Sequence, residues 1–227
     1  MSSTANRTLD IRQLYDLLRA HFGHQNWWPA DTPFETAIGA ILTQNTAWTN
    51  VEKAIANLKQ ANVLDCSSML KLPTGKLEEL IRPSGFFRQK TERLQLFCRH
   101  LAKHHGGELE NLMTQDTDSA RKELLSLRGI GPETADSILL YGGGHASFVV
   151  DAYTRRLLDR LGLLPGKGSY EEMRNLFMRL LPPEPELFNE YHALIVSHCK
   201  EICRKRKPTC DSCPLMANCP SREAFST

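Results

Sequence analysis

The chain has 227 residues with 28 Lys and Arg against 26 Asp and Glu, a net charge of only +2. That length suffices for one large domain or two interleaved ones with a real core. No apolar run reaches the roughly 18–20 residues that span a bilayer. The first ten residues, MSSTANRTLD, lack the apolar core of a signal peptide, so the expectation is a cytoplasmic protein with no membrane partner.

Periodicity predicts helix almost throughout. A first helix is expected at about 8–21. Phe34, Ala37, Ile38, Ile41 and Leu42 then recur at the spacing of one buried helical face. The start of that helix is written in Thr32-Pro33-Phe34-Glu35: a capping threonine, a proline in the first turn and a glutamate that can reach back. Val51, Ala54, Ile55 and Leu58 predict the next helix, and Leu94, Phe97, Cys98 and Leu101 another. Further helices are expected at about 119–127, 133–141, 152–161, 170–180 and 186–200. Breaks fall at Gly- and Pro-rich points, among them Pro73–Gly75, Pro83–Gly85, Gly129–Gly131 and Gly142–Gly144. Ser147–Val150 reads as an extended connector, and His145 before it as a surface histidine. The fold class expected is all-α, with about ten helices and short loops.

Five of the seven cysteines lie between Cys199 and Cys219. In a reducing compartment this crowding argues for a metal site over disulfides. The spacing Cys203-x6-Cys210-x2-Cys213-x5-Cys219 offers four thiolates on one loop, the ligand set of a [4Fe–4S] cluster and also of structural zinc. Zinc ribbons carry two short knuckles, and only one is present here. Cys199 falls outside the spacing. Arg204, Lys205, Arg206 and Lys207 fill the first inter-cysteine segment, a charge run suited either to solvent or to phosphate.

Two more segments carry chemistry. In Leu127-Arg128-Gly129-Ile130-Gly131-Pro132-Glu133-Thr134-Ala135, the glycines permit a tight turn that exposes backbone N–H groups at a helix N-terminus, where a phosphate oxygen is favoured. In Val149-Val150-Asp151-Ala152-Tyr153, Asp151 is placed to cap the helix that follows. All three tryptophans fall between positions 27 and 48.

Together the cysteine spacing, the L-x-G-[VI]-G-x-x-T-A hairpin and the Val-Asp segment resemble the endonuclease III family of helix-hairpin-helix DNA glycosylases, over about residues 10 to 220. The segments Asn26–Ala30, Leu42–Thr46 and Arg82–Lys90 resemble its 3-methyladenine glycosylase branch, although the best-known alkyladenine member lacks the cysteine loop. The resemblance implies a six-helix barrel domain over 24–136 with the hairpin, and an iron–sulfur cluster domain built from 1–23 and 137–227. It implies a [4Fe–4S] cofactor on Cys203, Cys210, Cys213 and Cys219, and a monomer acting on double-stranded DNA that contains a damaged base. Gly129, Gly131, Arg204, Lys205, Arg206 and Lys207 would meet phosphates. Asp151 would be the catalytic carboxylate. Trp27 or Trp28, with Pro29, would form one wall of the base pocket and Trp48 the other. Gln44 would fill the gap left by the extruded nucleotide, and Phe86 would wedge the opposite strand. Glu133 stands where bifunctional members carry a Schiff-base lysine, which implies a monofunctional enzyme with water as nucleophile. The expected function is base excision repair of an alkylated purine such as 3-methyladenine. The alternatives are a glycosylase for uracil, mismatched thymine or oxidised pyrimidines, and an inactive iron–sulfur DNA-binding protein.

Overall fold

The computed structural model describes residues 9–25, 27, 30–164 and 168–225. Trp28 and Pro29 lie outside the described residues. Among those described the chain is helical and has no strand; Ser147–Val150 is a connector outside any helix. No helix is long and apolar enough to cross a membrane.

The chain divides into two compact units, Trp28–Ser147 and a second one that joins Met1–Trp27 to Phe148–Thr227. These boundaries differ from the expected breaks at 24 and 136. The helix after the hairpin runs on through a π-turn at Ile138–Gly142, and Ser147 Oγ donates to the buried Asp136 carboxylate at 2.5 Å, which keeps 137–147 with the hairpin.

The Trp28–Ser147 unit carries α2 (Pro33–Leu42), α3 (Trp48–Gln60), α4 (Cys66–Lys71), α5 (Thr74–Ile81), α6 (Phe87–His104), α7 (Leu109–Leu112), α8 (Thr117–Ser126) and α9 (Pro132–Ser137). α2 is buried on every side, so its apolar residues form the centre of the core with Val51, Leu58, Leu94, Phe97 and Leu101. Thr32 caps it by accepting from Glu35 N at 3.1 Å. The expected return bond from Glu35 lands one residue earlier, on Asp31 N at 3.2 Å, and the other Glu35 oxygen pairs with Lys59.

The other unit carries α1 (Ile11–Phe22), α10 (Ala152–Arg160), α11 (Tyr170–Leu180) and α12 (Pro185–Glu201). Asp10 and Gln13 form a reciprocal capping box at α1. Its core is aromatic: Phe148 stacks on Phe177 with centroids 3.8 Å apart, and Phe188 and Tyr191 meet Phe148 edge-on. Tyr191 is fully buried and satisfies its hydroxyl on Ile11 O at 2.7 Å, which ties α12 to α1.

Candidate functional site

The hairpin follows α8. Gly129 has φ +90°, a conformation that side chains disfavour, and a Cβ there would lie 2.6 Å from the Arg93 stem. Gly131 does not match this part of the expectation. Its φ is −93°, which any residue adopts, and open space surrounds it; what the missing side chain gives is bare backbone at the N-cap of α9. Glu133 is exposed in the first turn of α9.

Three interactions hold this turn. Arg121 grips Asp136 through two bonds, Nε to Oδ1 at 2.8 Å and Nη2 to Oδ2 at 3.1 Å, which clamp α8 to α9. Gln44 Nε2 donates to Gly129 O at 3.0 Å and to Thr134 Oγ1 at 2.9 Å. Arg93 in turn donates to Gln44 Oε1. The Gln44 amide is therefore engaged inward on the hairpin, whereas the resemblance implies that it fills the gap left by an extruded nucleotide.

Phe86 behaves differently from its neighbour. It sits in the left-handed region at φ 45° and is 63% exposed, whereas Phe87 packs on the core with Arg82 over its ring at 4.9 Å. Beneath both Gln44 and Phe86 lies Lys90, fully buried, whose Nζ donates to Leu42 O at 2.8 Å and Ser84 O at 2.7 Å. Burial, and then the charge of Arg93, push this ammonium down to about 8. One cation thus pins the end of α2 and the turn before Phe86.

Trp48 opens α3, half-buried, with its Nε1 donating to Glu52 at 2.9 Å. It lines a cavity of about 200 Å³ with Ala30, Gly39, Ile55 and the Glu35–Lys59 pair. His145 is half-buried rather than at the surface. Both ring nitrogens are engaged, with Thr117 Oγ1 at 3.0 Å and Met113 O at 3.1 Å.

A separate group of candidate residues lies in the other unit. Asp151 is the N-cap of α10, and its Oδ1 accepts from Thr154 N at 2.8 Å and Thr154 Oγ1 at 3.1 Å. Its Oδ2 faces His192 Nε2 at 3.6 Å. The carboxylate is 16% exposed and the imidazole 7%. Burial pushes the Asp151 carboxyl up, but the His192 imidazole and the Thr154 bonds outweigh it and hold it below its ordinary value. His192 also meets Trp27, ring centroids 6.5 Å apart, and Lys200 Nζ lies 5.6 Å from the Trp27 ring. The indole Nε1 of Trp27 is buried without a hydrogen-bond partner among the described residues. Glu190 fixes the approach to Trp27: it pairs with Arg19, takes His24 Nδ1 at 2.5 Å and accepts from Gln25 N at 3.0 Å.

Cys203, Cys210, Cys213 and Cys219 line one cavity, walled by Leu157, Leu161, Ile202 and Leu215. Arg160 Nη1 donates to Cys203 Sγ at 3.1 Å. Four convergent thiols, apolar walls and a guanidinium at one sulfur suit an anionic thiolate-bound metal group. Cys199 is buried, its Sγ 3.6 Å from Tyr153 O, and its thiol is hydrogen-bonded with that of Cys203. Arg204, Lys205, Arg206 and Lys207 are all exposed. Their backbone is held from inside: Arg156 donates to Cys203 O and Cys199 O, and Arg160 donates to Arg204 O at 2.9 Å and Lys205 O at 3.2 Å.

Sequence reasoning missed His192, Arg93, Lys90 and Arg160. Only Arg160 carried a signal, being one turn beyond Arg156 on the helix that Asp151 opens.

Comparisons with known proteins identify the family. The family described as HhH-GPD superfamily base excision DNA repair protein matches residues 38–183. The "Putative DNA repair glycosylase MJ1434" of Methanocaldococcus jannaschii is 49% identical over 93% of this chain and 96% of its own. A trapped endonuclease III–DNA covalent intermediate superposes with a TM-score of 0.83 at 26% identity, covering 94% of this chain and 96% of that one. H. pylori 3-methyladenine DNA glycosylase (MagIII) bound to 1,N6-ethenoadenine has a TM-score of 0.71 at 30% identity, covering 82% and 97%. The chain belongs to the HhH-GPD superfamily of base excision DNA repair proteins, as a DNA glycosylase of the endonuclease III family with the all-α helix-hairpin-helix fold.

Proposed function

We propose that this glycosylase is monofunctional and removes an alkylated purine such as 3-methyladenine from double-stranded DNA. The observation that carries the reading is the Asp151–His192–Trp27 constellation in a chain whose hairpin offers Glu133 in place of an amine. Breaking the N-glycosidic bond leaves positive charge on the sugar. A carboxylate held ionised at a helix N-terminus stabilises that charge or orients water against it. Thr154 fixes one oxygen of Asp151, and the other faces His192. The indole of Trp27 is a flat face that attracts a cationic methylated purine more than a neutral base. The likeness to MagIII, which binds 1,N6-ethenoadenine, supports a modified adenine as substrate.

Phosphate contacts fall to the backbone of Gly129 and Gly131 and to Arg204, Lys205, Arg206 and Lys207; Phe86 is the wedge, and Trp48 stacks on the extruded base. The protein acts as a monomer. Cys203, Cys210, Cys213 and Cys219 would hold a [4Fe–4S] cluster, around which the basic loop would be ordered away from the bond cleavage. Arg156 and Arg160 aim the loop by anchoring its carbonyls.

A panel of duplexes with defined lesions tests the reading. 3-Methyladenine should be released faster than uracil or thymine glycol. The abasic strand should stay intact until alkali or heat is added, and borohydride should trap no covalent enzyme–DNA species. Efficient trapping would end the monofunctional assignment. Release of pyrimidines alone would move the substrate class.

A further inference from the structure

We propose that His100, His105 and Glu123 form a binding site for a divalent transition-metal ion of the zinc class, separate from the cysteine loop. Two elements and a break between them build it. His100 lies in the last turns of α6, His105 is its C-cap, and Glu123 lies on α8. Five residues apart, the two histidines would diverge on a continuous helix. The helix stops instead at His105, with φ −131°, and Gly106 and Gly107 follow at φ +65° and +89°. That turn brings the two rings to 5.8 Å between centroids.

Both Nε2 atoms converge on one carboxylate oxygen, each 2.5 Å from Glu123 Oε1, and the three atoms all lie within 4.8 Å of one another. The rest of the carboxylate is already oriented. Gln115 Nε2 donates to Oε2 at 2.6 Å, and Asn111 Nδ2 holds the His105 carbonyl at 2.8 Å. Such outer partners fix ligand direction in metal sites. Two imidazole nitrogens with one carboxylate oxygen are a zinc ligand set that leaves a position for water. The nitrogens exclude calcium and magnesium, which take oxygen shells. Contacts of 2.5 Å are tighter than ordinary N–H···O bonds. An ion bonded at about 2.0–2.2 Å would open them to the edges of a tetrahedron. The three side chains are 18%, 11% and 22% exposed, so they are preorganised yet reachable from solvent.

Cobalt(II) titration of the purified protein, with its iron content recorded, is the test. One equivalent should bind, with visible d–d absorption and no thiolate charge-transfer band. His105→Ala and Glu123→Gln should abolish this binding, with helicity checked by circular dichroism. Gln115→Ala keeps all three ligands and should weaken affinity about tenfold. Zinc should raise the melting temperature of the wild type and leave that of His105→Ala unmoved. A thiolate band, equal binding by wild type and His105→Ala, or no binding at all would reduce the three residues to a hydrogen-bonded link between α6 and α8.

Discussion

Two helix N-termini in this molecule treat the same electrostatic resource in opposite ways. α9 begins at Gly131, which has no side chain to cap it. α10 begins at Asp151, whose carboxylate takes the Thr154 N–H and is thereby held ionised. The positive end of a helix can attract an anion from outside or stabilise one of its own. On the reading proposed here, the open end receives a DNA phosphate and the closed end keeps the catalytic charge. The open end must then be rigid by other means, which is the office of Arg121, Arg93 and Gln44.

The largest effect should come from removing that rigidity. Asp136 is fully buried, and Asp136→Ala strands Arg121 without its bidentate partner. Losing one member of such a pair costs about 3–5 kcal/mol. A shift in the urea midpoint will show it, and a loss below about 1 kcal/mol would mean that the hairpin is held by its apolar contacts alone.

Asp151→Asn probes the closed end. The amide oxygen still accepts from Thr154, so α10 and DNA binding should persist. Excision should fall by well over tenfold, each tenfold being about 1.4 kcal/mol of barrier. Single-turnover rates decide this: a variant that keeps more than a tenth of wild-type activity makes Asp151 a cap and nothing more.

Gly129→Ala tests whether the turn needs its conformation. An alanine at φ +90° pays a strain of about 1–2 kcal/mol and pushes Arg93 aside. DNA affinity should drop while the chemical step on bound substrate is kept. Gly131→Ala, at φ −93° in open space, should be far milder. Equal losses at the two positions would contradict the distinction.

The smallest effect is a shift in pH dependence. A carboxyl held below its ordinary value loses its charge only as pH falls through that lowered value, so excision should persist through the usual carboxylate range. His192→Gln removes the principal lowering influence and leaves the burial, which raises. The acidic limb of the rate profile should therefore move to higher pH. An unmoved limb would show that His192 positions Trp27 without touching the charge of Asp151.

The local readings succeed where a few consecutive residues carry the cause. Thr32 caps α2 and Asp151 caps α10, because a cap needs only its own side chain and the next turn. α4 and α7, of six and four residues, gave no signal because so short a stretch cannot show a helical period. Phe86 and Phe87 are alike in sequence, and only the left-handed backbone at Phe86 turns one out and one in.

By itself the sequence determined the all-α class, the hairpin, the cysteine spacing, the carboxylate at 151 and the missing hairpin lysine, since each is a matter of residue type at short, fixed spacing. Tertiary structure alone decided what surrounds them. His192 reaches Asp151 from α12, Gln44 reaches Gly129 from the end of α2, Arg160 reaches the basic loop from α10, and Glu123 meets two histidines across a break in α6. These contacts join residues far apart along the chain, and nothing local encodes them. They exist because burying apolar helix faces fixes which polar side chains come within reach of one another.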